Sequence, residues 1–251
     1  MENASPPDLM NRLIAGYCTT QVVYVAAKLG IADLLREGPR TAADLAAATG
    51  THAPSLYRLL RAAASLGVFQ ETAPQTFELT PLAEQLRSDI PTSQRALAIM
   101  SGEEHFASWG ELLYSVQTGK IAFDKIYGMP FFEFLSKNEE KAKVFDAAMV
   151  GVHGRESEAM VNVYDFSRFG VLADVGGGNG SLLTIVLKKH PTLKGLLYDL
   201  PGVVQRASGA LAAAGLADRC QVVGGNFFES IPSGADAYLM RHIIHDWDNE
   251  K

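Results

Sequence analysis

Apolar residues in the first part of the chain recur at helical spacing. Residues 9–35 carry an apolar side chain every three or four positions, which predicts helix with a break near Gly30. A second helix is expected over residues 41–50, where Thr41 can cap the first turn. An alanine- and leucine-rich third helix is expected over residues 55–66. The chain therefore begins with a mainly helical region.

Two short β-strands are predicted directly after these helices. Residues 68–70 and 76–79 favour strands and are separated by a turn that contains Pro74. Helix, turn, helix and a two-stranded wing together indicate a winged-helix unit over about residues 30–85.

Winged-helix units often bind DNA, but the candidate recognition helix is poorly basic. Its basic residues are Arg58 and Arg61, which lie among leucines and alanines, and acids and bases nearly cancel over residues 1–100. A helix that reads DNA needs a concentrated basic face. Together with the apolar stretch at residues 13–27, this favours a homodimer without nucleic acid, and a DNA-binding regulator is kept as the alternative.

Residues 101–164 are predicted to be mostly helical and rich in aromatic side chains. The helices are interrupted at Gly119, Gly128 and Pro130. Breaks between aromatic clusters often shape an apolar pocket, so part of this region is expected to bind a ligand and the rest to form core. The aromatic residues are Phe106, Trp109, Phe123, Tyr127, Phe131, Phe132, Phe134 and Phe145.

Strands and helices alternate in the last third of the chain. Strands are predicted at residues 171–175, 195–199, 221–223 and 235–240, with helices at 181–189 and 202–214. This order predicts a doubly wound α/β unit with a parallel sheet.

Composition and charge exclude several classes. The chain has 251 residues, 47% hydrophobic and 20% charged, and a formal net charge of −6, which excludes a disordered chain and disfavours nucleic-acid or anionic-membrane partners. No secretory leader is visible, and the apolar stretch at 13–27 is too short to cross a bilayer. Cys18 and Cys220 lie far apart in sequence and match no metal-ligand spacing. We therefore expect a cytoplasmic protein.

The first strand of the α/β unit ends in a glycine-rich turn. The pattern D-x-G-x-G-x-G is formed by Asp174, Gly176, Gly178 and Gly180. The dinucleotide pattern G-x-G-x-x-G would need a small residue at position 181, where Ser181 is only a marginal fit. An enzyme that uses a nicotinamide cofactor is therefore kept as an alternative. The turn instead resembles the S-adenosylmethionine site of α/β methyltransferases, and Asp199 at the end of the next strand can accept hydrogen bonds from ribose hydroxyls.

Four runs in order resemble those of the caffeate/acetylserotonin-type O-methyltransferases, which include small-molecule enzymes of bacterial secondary metabolism. They are DVGGGNG (174–180), YDLP (198–201), GNFF (225–228) and HDW (245–247). The resemblance covers the whole chain, because that family also begins with a winged-helix dimerisation domain. It implies a mainly α winged-helix dimerisation domain, then an α/β Rossmann-like methyltransferase domain. It also implies a homodimer that uses S-adenosylmethionine to methylate a phenolic or polyketide-like hydroxyl.

Individual site residues follow from the same resemblance. The cofactor-binding residues that it implies are Gly176, Gly178, Gly180, Asp199, Gly225, Asn226, Phe227 and Arg241. The substrate-binding residues that it implies are Phe145, Met149 and His153. The family usually has Asp at position 226. The Asn226 carbonyl can still accept from an adenine amino group, but without a charge, so lower cofactor affinity is expected.

The resemblance makes His245 the general base. A phenol has a pKa of about 10 and stays protonated at neutral pH, whereas an imidazole of pKa about 6.5 can take its proton. The competing interpretation makes His242 and His245 metal ligands, joined by Asp246 or Asp248. No third ligand has a recognisable spacing, so we predict no metal.

Three regions are predicted: residues 1–100 for dimerisation, 101–165 as a helical substrate-pocket linker, and 166–251 for S-adenosylmethionine binding. The last region holds fewer strands than the family's sheet, which implies a C-terminally truncated chain that need not turn over alone. A fold relative that binds the cofactor but catalyses other chemistry, or none, is a further alternative.

Overall fold

The computed structural model describes residues 5–248 and separates a first unit, Met1–Val152, from a second, His153–Lys251. The helices of the first unit are α1 (Pro6–Ile14), α2 (Gly16–Lys28), α3 (Ile31–Leu34), α4 (Ala42–Thr49), α5 (Ala53–Ser65), α6 (Arg95–Met100), α7 (Phe106–Gly110), α8 (Leu112–Thr118), α9 (Ala122–Tyr127) and α10 (Phe131–Lys137). Its strands are β1 (Arg40–Thr41), β2 (Phe69–Ala73) and β3 (Thr76–Leu79), with a 3-10 turn at Ala83–Leu86 and a π-helical turn at Ser101–His105. Helix α11 (Glu139–Val163) begins in the first unit and ends in the second.

The winged-helix arrangement predicted from the sequence is confirmed. Helices α4 and α5 precede the β2–β3 hairpin, and the three strands form an antiparallel sheet in the order β1-β3-β2. Thr41 caps α4 by accepting the Asp44 backbone N–H at 3.1 Å, as expected. Helix α4 ends at Gly50, whose φ of +65° favours glycine. The core beneath these elements includes Leu45, Leu60 and Phe77.

The predicted helix over residues 9–35 is three helices. The expected break at Gly30 is present, with a φ of +68°, but a second break separates α1 from α2 at Ala15. The glycine that follows Ala15 has low helical propensity, which accounts for an interruption that the apolar spacing does not reveal. Strand β1 was not predicted, because its two residues are too few for a periodic signal.

Helix α1 has no buried residue in this chain. It exposes Leu9, Met10, Leu13 and Ile14 among its nine residues. Over residues 5–248, no helix combines the length and the apolar character that a membrane span requires.

Aromatic side chains in the helical region of the first unit form one cluster. The Phe123 ring centroid lies 4.4 Å from that of Tyr127, 5.1 Å from Phe131 and 5.4 Å from Phe134. The helices α8 and α9 end at glycines with positive φ, +69° at Gly119 and +73° at Gly128, and Pro130 precedes α10. The predicted breaks in this region are therefore confirmed.

A parallel sheet with two flanking helices forms the second unit. Its elements are β4 (Val171–Val175), α12 (Ser181–Lys189), β5 (Lys194–Asp199), α13 (Pro201–Ala213), β6 (Cys220–Gly224), β7 (Ala237–Leu239) and a 3-10 turn at Ile244–Asp246. The strand order is β6-β5-β4-β7. All four strands were predicted, although β7 is shorter than the predicted 235–240. The α/β fold class is confirmed, and the division into residues 1–100, 101–165 and 166–251 stays a prediction.

The strand order places a topological switch at β4. The chain moves from β4 to β5 and β6 on one side and then returns to place β7 on the other side of β4. In open parallel sheets, ligands bind outside the carboxyl ends of the strands at such a point. The residues that follow β4, β5, β6 and β7 are therefore candidates for a ligand-binding site.

Candidate active site

The glycine turn after β4 has the backbone geometry that its sequence requires. Gly176, Gly178 and Gly180 have φ values of +71°, +59° and +75°, which favour glycine. A Cβ on Gly177 would overlap the side chains of Leu197 and Asp174, so the turn lies directly on the sheet. At Gly178, by contrast, no described atom lies within 4 Å of where a Cβ would project. The turn thus leaves open space above its middle residue for a ligand.

Asp174, the acid of the glycine motif, is a buried carboxyl at the end of β4. It is 2% exposed, and within residues 5–248 its Oδ2 has no hydrogen-bond partner. Burial raises the pKa of this carboxyl to about 7, although the nearby Arg241 guanidinium opposes the shift. A buried acid of this kind suits a site that receives a cationic group, because such a group would favour its ionised form.

Asp199 holds the glycine turn to the end of β5. Its Oδ2 accepts the Gly178 backbone N–H at 2.8 Å, and its Oδ1 accepts the Leu200 N–H at 2.7 Å. The Gly176 N–H bonds to the carbonyl of Tyr198 at 2.8 Å, which fixes the start of the turn on the same strand. Asp199 is therefore adjacent to the glycine turn, as expected, and its role toward a ribose stays a prediction.

The residues after β6 form a second tight turn beside Asp199. The Gly225 N–H donates to the Asp199 carbonyl at 2.9 Å, and a Cβ on Gly225 would overlap the Tyr198 hydroxyl. That hydroxyl donates to the carbonyl of Ser230 at 2.7 Å. The backbone thus approaches Tyr198 closely, which explains the glycine at position 225.

Asn226 and its aromatic neighbours lie in this second turn. The Asn226 Oδ1 accepts the Phe228 N–H at 3.1 Å, and its Nδ2 donates to Glu229 Oε1 at 3.2 Å. The rings of Phe227 and Phe228 lie 4.6 Å apart, and Trp247 meets Phe228 edge-to-face at 4.6 Å. Because the oxygen of an amide can accept two hydrogen bonds, Asn226 retains the capacity to meet a ligand amino group.

Arg241 and His242, which follow β7, bond to the end of α11. Arg241 Nη1 donates to the Ser157 hydroxyl and, at 3.4 Å, to the carbonyl of His153. His242 Nε2 lies 2.9 Å from Glu156 Oε2, and His153 Nδ1 lies 3.1 Å from the same oxygen. The two imidazole rings stack with centroids 3.9 Å apart. Sequence reasoning missed Glu156 and Ser157, because no spacing links them to residues more than eighty positions away.

His245 lies on the 3-10 turn that follows. Its side chain is 62% exposed, its Nε2 lies 3.3 Å from Asp246 Oδ1, and its ring centroid lies 5.5 Å from that of His242. Potential ligand atoms of His153, Glu156 and His242 lie within 4.8 Å of one another. This group contains neither His245 nor Asp246, so it differs from the metal site considered as the competing interpretation.

The remaining predicted substrate residues lie along α11. Phe145 belongs to the aromatic cluster of the first unit, with its ring centroid 5.3 Å from that of Phe131. Met149 is half-buried. His153 belongs to the second unit, where it joins Arg241 and His242. Burial lowers the pKa of His153, which favours the neutral ring.

Comparison with known protein families gives two matches. Residues 109–251 match the O-methyltransferase domain, and residues 11–89 match the O-methyltransferase dimerisation domain. A phenazine O-methyltransferase of Lysobacter antibioticus is 46% identical over 243 residues, which span 97% of this chain and 71% of the relative. An aclacinomycin 10-hydroxylase of Streptomyces purpurascens is 36% identical over 247 residues, which span 97% of this chain and 66% of the relative.

Solved structures resemble the chain over nearly its whole length. Human N-acetylserotonin methyltransferase in complex with S-adenosylmethionine matches with a TM-score of 0.89 and 27% identity, over 99% of this chain and 74% of that chain. An O-methyltransferase from neocarzinostatin biosynthesis, with S-adenosylmethionine and 2-hydroxy-5-methyl naphthoic acid, matches with a TM-score of 0.84 and 35% identity, over 99% and 75% of the two chains.

Proposed function

The chain belongs to the O-methyltransferase family, and from that membership we propose that His245 is the general base of its reaction. The enzyme transfers a methyl group from S-adenosylmethionine to a hydroxyl group of a small molecule. One observation carries the assignment of the base. The His245 segment packs on the glycine turn, since a Cβ on Gly176 would overlap the Ile243 side chain.

When bound, S-adenosylmethionine supplies a methyl group that its sulfonium already activates, so the acceptor hydroxyl is the remaining obstacle. A phenol of pKa about 10 is protonated at neutral pH and is a weak nucleophile. The exposed His245 ring can take this proton as the oxygen attacks. The Asp246 carboxylate, whose Oδ1 lies 3.3 Å from His245 Nε2, stabilises the imidazolium that forms.

The cofactor is proposed to bind at the strand ends described above. The open space at Gly178 and the unpartnered Oδ2 of Asp174 suit a ligand that carries positive charge. Asp199 accepts the ribose hydroxyls while it still holds the Gly178 amide, since each carboxylate oxygen can accept more than one hydrogen bond. The proposed cofactor-binding residues are Gly176, Gly178, Gly180, Asp199, Gly225, Asn226, Phe227 and Arg241.

A planar hydroxylated aromatic compound is the proposed methyl acceptor. The phenazine enzyme and the naphthoic-acid complex support this class by the compounds in their names. The half-buried ring of Phe145 gives such a compound an aromatic side chain to pack against. Phe145, Met149 and His153 are the proposed substrate-binding residues.

A homodimer formed through the first unit is proposed as the active assembly. The match to a dimerisation domain and the apolar residues that α1 exposes, among them Leu13 and Ile14, support it. A cytoplasmic location is also proposed, because both cysteines are free thiols, as is usual in a reducing compartment.

The decisive experiment compares His245→Ala with wild type in methyl transfer to hydroxylated aromatic acceptors. We expect turnover to fall by about 10²–10⁴-fold, the usual contribution of general-base catalysis, while calorimetry shows unchanged binding of S-adenosylhomocysteine. The exposed His52 of the first unit gives the control, because His52→Asn should leave turnover unchanged. Unchanged turnover in His245→Ala would exclude the general-base role.

The hydroxylase relative makes a second activity worth testing in the same assay. Mass analysis of the product distinguishes the two reactions, since methyl transfer adds a methylene and hydroxylation adds an oxygen. A product with an added oxygen and no added methylene would replace O-methylation by hydroxylation as the proposed reaction of this chain.

A further inference from the structure

The segment that carries His245 is attached to the end of α11 by side-chain contacts of Arg241 and His242. Arg241 bonds to Ser157, and the next residue, His242, bonds to Glu156 and stacks on His153. Ile243 then lies against the glycine turn at Gly176. Three successive residues are thus held by the end of α11 and by the glycine turn, and the proposed base lies two residues after the last of them.

His242 adopts a backbone conformation that needs such support. Its φ of +56° lies in the left-handed region, and Gln75 is the only other non-glycine residue with positive φ among residues 5–248. This conformation is unfavourable for a residue with a β-carbon, so it persists only where the surroundings hold it. The hydrogen bond to Glu156 and the stacked ring of His153 provide that restraint.

Glu156 is the shared acceptor of the two imidazoles. Hydrogen bonds from His242, and then from His153, hold the pKa of Glu156 below its ordinary value, so it is ionised at neutral pH. A hydrogen bond to an ionised acceptor is stronger and more directional than one between neutral groups. Glu156 can therefore fix the His242 ring, and with it the backbone that leads to His245.

We propose that His242 and Glu156 are positioning residues, which hold the left-handed backbone at His242 so that His245 meets the acceptor hydroxyl. The inference rests on the proposed function of His245. Neither residue needs to touch the substrate or the cofactor. A displacement of about 1 Å at a catalytic group can reduce the rate a hundredfold, so loss of this attachment should lower kcat rather than cofactor binding.

Two substitutions at His242 separate the hydrogen bond from the backbone conformation. His242→Gly tolerates the positive φ but removes the bond and the stacking, whereas His242→Gln places an amide donor where the imidazole Nε2 lies and so retains the bond to Glu156. We expect kcat to fall about 10- to 100-fold in His242→Gly and to stay within about threefold of wild type in His242→Gln. The KM for S-adenosylmethionine and the Tm should change little in both.

Glu156 offers a parallel pair of variants. Glu156→Ala should lower kcat as His242→Gly does, and Glu156→Gln should recover most of it, because an amide oxygen still accepts the bond. Gln75→Gly is the matched control, since it removes the other left-handed non-glycine residue, in the first unit, and should leave kcat unchanged.

A double variant tests whether His242 acts through His245, because the losses of kcat from the two single substitutions should then not add. In a His245→Ala background, His242→Gly should cause no further loss of kcat. Full kcat in His242→Gly, or a further loss in the double variant, would overturn the positioning role. A metal requirement would also overturn it. If the protein bound stoichiometric Zn²⁺, if turnover required that ion, and if Glu156→Gln abolished its binding, then His153, Glu156 and His242 would form a metal site. Failure of the proposed function is a separate result, namely full turnover in His245→Ala alone.

Discussion

The stability of the second unit should depend less on pH when Asp174 is replaced by asparagine. Burial raises the pKa of the folded Asp174 carboxyl from 3.8 to about 7. Between these two values the unfolded chain has released the proton while the folded chain still binds it. Rising pH therefore favours unfolding between these two values. The contribution of Asp174 to the stability is fully present below the pKa of the unfolded chain and is lost by about pH 7.

The magnitude follows from the size of the pKa shift. Each pKa unit corresponds to about 1.4 kcal/mol, so ionisable Asp174 lowers the free energy of unfolding by about 4 kcal/mol at pH 8 and about 1.5 kcal/mol at pH 5. Asparagine does not titrate. The stability difference, which is the free energy of unfolding of Asp174→Asn minus that of wild type, should therefore be about 2.5 kcal/mol larger at pH 8 than at pH 5. The constant cost of burying the amide cancels in this difference.

Urea unfolding at both pH values provides the measurement. The chain has two tryptophans, and a Trp109→Phe background leaves Trp247 as the reporter of the second unit. A single-unit reporter is needed because the two units can unfold separately. The exposed Asp218 gives the control variant Asp218→Asn, which should show no such increase. A relative stability of Asp174→Asn that is the same at pH 5 and pH 8 would refute the reasoning.

Two further predictions concern the turns beside this residue. Asp199→Ala removes the acceptor of the Gly178 amide and of the proposed ribose contacts. Calorimetry should therefore show that S-adenosylhomocysteine binds at least about tenfold more weakly. Unchanged affinity would exclude Asp199 from the binding site. Gly225→Ala would push the Tyr198 hydroxyl off its carbonyl acceptor and cost about 1–3 kcal/mol in urea unfolding. Gly202→Ala, with open space around its Cβ, should cost nothing, and equal stability of both variants would contradict the steric argument.

Local sequence signals predicted much of the fold because the structures they describe are local. The cap at Thr41, the break at Gly30 and the glycine turn after β4 each depend on a few neighbouring residues. The parallel sheet followed from the alternation of apolar strands and helices. The break at Ala15 was not predicted, since apolar spacing continues through it.

The candidate site could be predicted only where its residues follow strand ends. Asp199 lies beside the glycine turn because parallel strands bring their carboxyl ends together, which the strand pattern already implies. The attachment of His242 to Glu156 joins residues 86 positions apart, and neither side chain has a spacing that points to the other. Such a contact depends on how the end of α11 packs within the second unit, which one sequence does not specify.

The hydrogen bonds of the glycine turn after β4 determine at which stage this turn loses its conformational entropy. Glycine loses more conformational freedom than any other residue when it is fixed, about 1–2 kcal/mol or more for each backbone. Here the Gly176 amide is bonded to the Tyr198 carbonyl and the Gly178 amide to the Asp199 carboxylate. Because the protein itself makes both bonds, intramolecular contacts offset the cost of ordering this turn, and a ligand at these strand ends does not have to supply them.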